Sequence, residues 1–296
     1  MAGLRRDHRE REPGLQLPHP VQQDNPDLFL PGAGQEDEEQ AGRAGRRNAV
    51  VNAVILVAGV ARRLAPLTDT THKALLPVGG RPVLARMLEG LDAAGIRQTT
   101  LVVGHCADQV RKLAGERVGR MAVRYVHNPE YTRGSVISLY AARQCLREPA
   151  LVMDADVVFP REFLTRLLAL PAPSALLVDR GFTDTGEEVK IYTRGDRVIA
   201  LGKKVVPEAW DAVGEGVGFF KCGAEAAPEL VRGLSKVIEE SHGLGEWEDA
   251  IHLLAPHRHV GWVDVTGMPW TEIDFVEDLR RAESDVLPRV LRLDGG

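Results

Sequence analysis

The chain reads as an α/β fold wound on both sides of a mostly parallel sheet. Three observations carry this. Residues 49–59, AVVNAVILVAG, form a nearly continuous β-branched apolar run ending in Ala-Gly, as a strand buried on both faces requires. A second run, ALVMDADVVF at 150–159, has the same character and leads straight into acid. Between them, strand-length runs alternate with helix-period segments, the pattern of right-handed βαβ units.

Taken in order, Val83, Leu84, Met87, Leu88 and Leu91 share one face of a helix that Gly95 closes. TTLVVG at 99–104 is the next strand, 106–114 a short helix, MAVRYV at 121–126 a strand and 134–146 a helix. Beyond Asp156 the periodicity predicts a helix over 161–169 and a strand at SALLVDR, 174–180. EEVKIYT and RVIALGK form a β-hairpin around Arg194-Gly195-Asp196. GVGFFKC at 216–222 is a strand, 225–239 and 246–254 are helices, HVGWVDV at 259–265 is a strand, and 275–285 is the final helix.

Composition narrows the class. The 296 residues are 44% hydrophobic, enough for a sizeable core, and the net charge of −5 comes with no basic run suited to nucleic acid or an anionic membrane. Cys106, Cys145 and Cys222 are isolated and odd in number, which reads as a reduced cytoplasmic chain without disulfides or zinc. The longest apolar run, 49–61, is broken by Asn52 and too short to span a bilayer. Residues 1–47 are rich in Arg, Glu, Asp, Gln, Gly and Pro, and read as a disordered extension ahead of one domain, 48–296. A true translation start further downstream is the alternative source of those residues.

The loop after the first strand concentrates phosphate chemistry. Small residues Ala58 and Gly59 let backbone N–H groups approach an anion at the carboxyl end of a strand. Arg63 offers a bidentate fork and Lys73 a compact charge. There is no GxxxxGK[ST] and no GxGxxG. A basic surface loop would carry the same residue types, so spacing alone leaves that reading open.

From Leu56 to Leu84 the sequence resembles LxAGxGxRLxPLTxxxPKxLLPVxGxPxL, the signature of the sugar-phosphate and phosphocholine nucleotidyltransferases. Two positions depart: Ala61 replaces the second glycine and His72 the proline before the lysine. The resemblance runs from about 49 to 288. It implies a Rossmann-like sheet of the nucleotide-diphospho-sugar transferase type with a small β-hairpin acceptor-binding subdomain. It also implies that Leu56, Ala58 and Gly59 face the nucleotide, Arg63 holds the outer phosphates and Lys73 touches the reacting one.

Asp154 and Asp156 stand at a strand end, where two carboxylates at i and i+2 suit Mg²⁺ or simply cap a turn. The family places a metal-binding Asp here, Asp156 being the better match with Asp154 beside it. Trp270-Thr271-Glu272-Ile273-Asp274 resembles the WxEID form of the phosphocholine group, which assigns Glu272 to the metal with Asp274 nearby. Asp274 also suits a helix cap.

Asn128-Pro129-Glu130-Tyr131 with Gly134-Ser135 resembles the NxxY…SxxSL element of the same group, placing Asn128, Gly134 and Ser135 at the nucleotide or acceptor; a plain helix cap is the alternative. Lys190 on the hairpin, with Lys203 and Lys204 after it, offers a cation for an acceptor phosphate, and Glu215 a partner for an acceptor hydroxyl or amine. Trp247 and Trp270, flanked by acids, suit a quaternary ammonium or else belong to the core.

The expected chemistry is Mg²⁺-dependent transfer of CMP from CTP to choline phosphate, a polyol phosphate or an aminoalkylphosphonate, with a homo-oligomer left open. The rival is a sugar-1-phosphate nucleotidyltransferase using UTP, dTTP or GTP. A non-catalytic nucleotide-binding protein is the remote alternative.

Overall fold

The computed structural model describes residues 52–295; the expectations for residues 1–47 and for the first three residues of the opening apolar run lie outside the described residues. Ten strands form one sheet. In chain order they are β1 (Asn52–Val57), β2 (Gln98–Val103), β3 (Arg117–Val118), β4 (Met121–His127), β5 (Ala150–Asp154), β6 (Ser174–Asp179), β7 (Lys190–Arg194), β8 (Arg197–Gly202), β9 (Ala212–Cys222) and β10 (Val260–Asp264). The α-helices are α1 (Val83–Ala93), α2 (Ala107–Ala114), α3 (Ser135–Ala141), α4 (Glu162–Ala169), α5 (Ala227–Glu240), α6 (Glu248–Leu254), α7 (Val276–Arg281) and α8 (Leu287–Leu293).

The sheet order is β8-β7-β9-β5-β1-β2-β4-β3, with β6 bonded to β9 and β10. Strands β5, β1, β2 and β4 are parallel, as the apolar runs predict. From β1 the chain moves outward to β2 and β4, then returns to β5 on the opposite side of β1. That reversal sets the carboxyl ends of β1 and β5 side by side, with Leu56 paired to Asp154. An open α/β sheet binds its ligands in the crevice outside such a switch point.

The hairpin β7–β8 forms as predicted, turning at Gly195 with φ +56°. It is not a separate subdomain sheet: β7 bonds to β9 and β9 to β5, so the hairpin extends the main sheet antiparallel. The helix expected over 134–146 ends at Ala141 and tightens into a 3₁₀ turn, Arg143–Arg147. The final helix runs past 285. A π-helical turn, Ala282–Val286, joins α7 to α8, whose second residue is Pro288. Pro lacks the N–H that a regular α-helix would use, and a π-turn is one way to absorb it.

Apolar side chains bury both faces of the sheet, Val54, Val152 and Phe220 on one side and Ile55, Leu101 and Phe219 on the other. A third cluster joins Leu64, Leu76 and Val78 of the loop after β1 to Ile273, Val286 and Leu287. The apolar letters of the motif therefore fasten its polar letters beside the C-terminal segment. Among the described residues, no helix is long and apolar enough to cross a membrane.

Candidate active site

The loop leaving β1 is pinned at each turn. The Ala58 carbonyl accepts the His105 N–H at 3.0 Å. Ala61 adopts φ 52°, ψ 53°, the left-handed region that glycine occupies without cost, and its carbonyl accepts the Thr68 hydroxyl at 2.9 Å. A 3₁₀ turn, Arg62–Leu64, then buries Leu64 and leaves Arg63 half-exposed over the crevice.

His72 shows why proline is dispensable before Lys73. Its φ of −65° is the angle a proline ring imposes, and its Nδ1 accepts the Ala74 N–H at 3.1 Å, capping the turn Lys73–Leu75. Burial, then the charge of Lys73, pushes its imidazole pKa down to about 3, so the ring stays neutral.

A two-strand ribbon brings the acids together. Val157 and Val158 pair antiparallel with Glu272 and Thr271, and the Asp156 carbonyl accepts the Ile273 N–H at 3.0 Å. Ile273 is buried in the third cluster, so the flanking Glu272 and Asp274 point the other way, into the crevice. Carboxylate oxygens of Asp156, Glu272 and Asp274 lie within 4.8 Å of one another.

The two motif cations sit on these acids. Lys73 Nζ contacts Asp156 Oδ2 and lies 2.9 Å from Asp274 Oδ1. Arg63 Nη2 lies 2.6 Å from Asp274 Oδ2, with its guanidinium 4.9 Å over the Phe275 ring. Burial works against the charge on Lys73, yet Asp156, Asp274 and Glu272 outweigh it and hold the ammonium pKa above its ordinary value. The Glu272 carboxyl is held well above its usual range by its protein surroundings and by Asp156, although it opens onto solvent. Hard oxygen donors in this number suit a divalent cation. Asp156 is only 6% exposed, and its Oδ1 is buried without a hydrogen-bond partner, which a metal ion would satisfy.

Asp154 does not join this cluster. Its carboxylate accepts the Trp247 indole N–H, 3.2 Å from Oδ1 and 3.4 Å from Oδ2, and burial followed by Glu248 and Asp156 raises its pKa well above the usual range. Gly218 makes room for it: φ there is +79°, and a Cβ would lie 2.5 Å from Asp154 Oδ2.

Arg63, Lys73 and the acids line one crevice of about 980 Å³, together with Leu56, Ala58, Gly59 and Ser135. Ser135 Oγ donates to Glu246 Oε2 at 2.7 Å and accepts the Trp247 N–H at 3.0 Å. Glu215 and Trp270 also line it, Trp270 donating its indole N–H to Asp179 Oδ2 at 2.8 Å. Burial, then Glu188 and Asp179, pushes Glu215 up to about 7, with Arg281 opposing.

Four other expected contacts fall outside the crevice or inside the core. Asn128 is buried and structural, donating to Ser138 Oγ at 3.0 Å and accepting the Glu130 N–H at 2.9 Å. Gly134 provides close backbone packing: its N–H donates to the Gly243 carbonyl at 2.8 Å, and a Cβ would lie 2.7 Å from the Leu244 carbonyl carbon. Lys190 pairs with Asp184 at 3.0 Å, while Lys203 lines the crevice 3.8 Å from Glu246. Trp247 borders the crevice but is 1% exposed, a core side chain whose indole N–H is bonded to Asp154.

The sequence reading missed Asp179 and Arg281, both crevice residues, and named Glu248 only as an acid flanking Trp247. Asp179 had a usable signal, an acid ending an apolar strand as Asp154 does. Arg281, whose Nη2 donates to Thr271 Oγ1 at 2.5 Å, had none, because α7 brings it from a distant turn.

Residues 53–195 match the family described as the MobA-like NTP transferase domain. The chain is 40% identical over 240 residues to a CMP-5'-(3-aminopropyl)phosphonate synthase from Streptomyces rubellomurinus, covering 79% of this chain and 38% of that relative. It is 30% identical over 250 residues to a 2-aminoethylphosphonate cytidylyltransferase from Lancefieldella rimae, covering 83% of this chain and 92% of the relative. A solved CTP:phosphocholine cytidylyltransferase from Streptococcus pneumoniae superposes with a TM-score of 0.64 at 25% identity, over 79% of this chain and 98% of that one.

Proposed function

Because the chain belongs to the family of MobA-like NTP transferase domains, we propose that it transfers CMP from CTP to a small acceptor bearing a phosphate or phosphonate and releases pyrophosphate. The observation that carries this reading is the meeting of Arg63 and Lys73 with Asp156, Glu272 and Asp274 at the switch point between β1 and β5. The named relatives support the choice of CTP and of choline phosphate or an aminoalkylphosphonate as acceptor, and a polyol phosphate belongs to the same class of small phosphate-bearing acceptors.

An oxygen of the acceptor's ionised phosphate or phosphonate attacks the α-phosphorus of CTP in line, and the bond to the pyrophosphate breaks. The acceptor needs no general base, since it is already an anion near neutral pH. Lys73 stabilises charge growing on the reacting phosphate, and Arg63 holds the departing ones. Leu56, Ala58 and Gly59 bring backbone close to the nucleotide, and Ser135 offers a hydroxyl from the facing wall. Lys203 takes the role that Lys190 was expected to fill, a cation for the acceptor's anionic group. Asp156, Glu272 and Asp274 would hold Mg²⁺, which neutralises phosphate charge when bound. A cytoplasmic site of action follows from the need for CTP.

The test is pyrophosphate release with Mg²⁺, across CTP, UTP, GTP, ATP and dTTP, each against a panel of alkyl, polyol and sugar phosphates and aminoalkylphosphonates. Release with CTP and one non-sugar acceptor is expected. Release only with UTP, dTTP or GTP and a sugar 1-phosphate would replace this reading with the rival one. Nucleotide binding without release on any pair would favour a non-catalytic role.

A further inference from the structure

We propose that Lys73 and Arg63 are internal counter-ions of the acidic cluster in the free protein, so that a divalent cation alone is kept out and cation and triphosphate enter together. The proposal rests on the reading above only for the identity of the triphosphate.

The pairing occupies three of the cluster's six carboxylate oxygens. Asp274 commits both oxygens, Oδ1 to Lys73 and Oδ2 to Arg63. Asp156 commits Oδ2 to Lys73 and keeps only the buried, unpartnered Oδ1. Three formal negative charges face two positive ones, so the free site is close to neutral. The ammonium of Lys73 also stands among the oxygens that a cation would need.

A divalent ion arriving alone must therefore displace Lys73 from two carboxylates. It must also bear the repulsion of a +1 charge a few ångströms away, where the effective dielectric is low. A triphosphate changes this balance by offering both displaced cations charge-assisted hydrogen bonds to phosphate oxygens. Arg63 is free to swing, being half-exposed and held otherwise by Glu187 at 3.5 Å and the Phe275 ring. Linkage then makes the effect mutual: nucleotide tightens metal by the same factor that metal tightens nucleotide.

The prediction runs against ordinary expectation, because deleting a site residue should improve binding. Mn²⁺ affinity is measured by electron paramagnetic resonance at about pH 8 without nucleotide, on wild type, Lys73→Met and Arg63→Met. It is then repeated with CTP. Lys73→Met should bind Mn²⁺ alone roughly tenfold or more tightly than wild type, and Arg63→Met should show a smaller gain. CTP should tighten Mn²⁺ on wild type by about tenfold or more and by less on Lys73→Met. Unchanged or weaker Mn²⁺ binding by Lys73→Met overturns the proposal. If that variant melts early, Arg63→Met decides, since unchanged affinity at this half-exposed position overturns it equally. Pyrophosphate release by wild type is scored separately. Its failure alongside a gain in Mn²⁺ affinity sinks the transfer reading and leaves the counter-ions standing.

Discussion

At the scale of single residues, the two departures from the family motif have opposite physical meanings. His72 adopts the proline angle and adds a cap, so it replaces what it displaced. Ala61 keeps the left-handed angle of the missing glycine and meets the steric cost of its Cβ, about 1–2 kcal/mol. Glycine would remove that strain but would be freer when unfolded, which returns part of the gain. Ala61→Gly should therefore stabilise the protein by about 0.5–1 kcal/mol, read as a higher denaturant midpoint at constant m-value. A lower midpoint would mean that the loop does not hold this angle in solution.

At the scale of elements, the wall facing the loop after β1 is α3 docked on the segment 242–246. Gly134 makes the approach possible without unusual backbone, since its φ of −69° suits any residue. Alanine there would drive its Cβ into the Leu244 and Gly245 backbone and push the segment away from Ser135. Overpacking against backbone costs about 1–3 kcal/mol, or roughly 3–10 °C in Tm for a domain of this size. Gly59→Ala is the contrast, because a Cβ there meets no protein atom within 4 Å. Gly59→Ala should leave Tm unchanged yet raise the KM for CTP, whereas Gly134→Ala should lower Tm. Equal Tm values for the two variants would contradict this assignment. These elements also mark what sequence could give. The loop after β1, the strand into Asp156 and the segment Trp270–Asp274 were legible, because each holds its chemistry within a few consecutive residues. The indole bond to Asp154, the withdrawal of Asn128 and Gly134 from the crevice and the pairing of Lys190 with Asp184 were not. Each depends on which distant segment packs opposite.

At the scale of the whole molecule, topology gathers acids from β5, β6, β9, the ribbon and α6 around one crevice, and the free protein bears their mutual repulsion. The fold class and the parallel strands were legible from apolar runs, but not that β9 bonds the hairpin on one edge and β6 on the other, which sets Glu215 between Lys190 and Asp179. Glu215 reports the strain because its carboxyl, ordinarily near 4.5, is pushed up to about 7 by burial and by Glu188 and Asp179. The sign follows from proton counting. Between the unfolded and folded values the folded state binds more protons, so stability falls as pH rises from about 4.5 to about 7 and stays low above it. His72 acts oppositely over about 3 to 6.5, where the unfolded chain binds the extra proton and stability rises with pH. The two are separated by Glu215→Gln, which stays neutral at every pH. Measured without metal or nucleotide, that variant should melt above wild type at pH 8 and near it at pH 5. A gain in Tm of the same size at both pH values would mean that the glutamine improves packing and that Glu215 carries no electrostatic load.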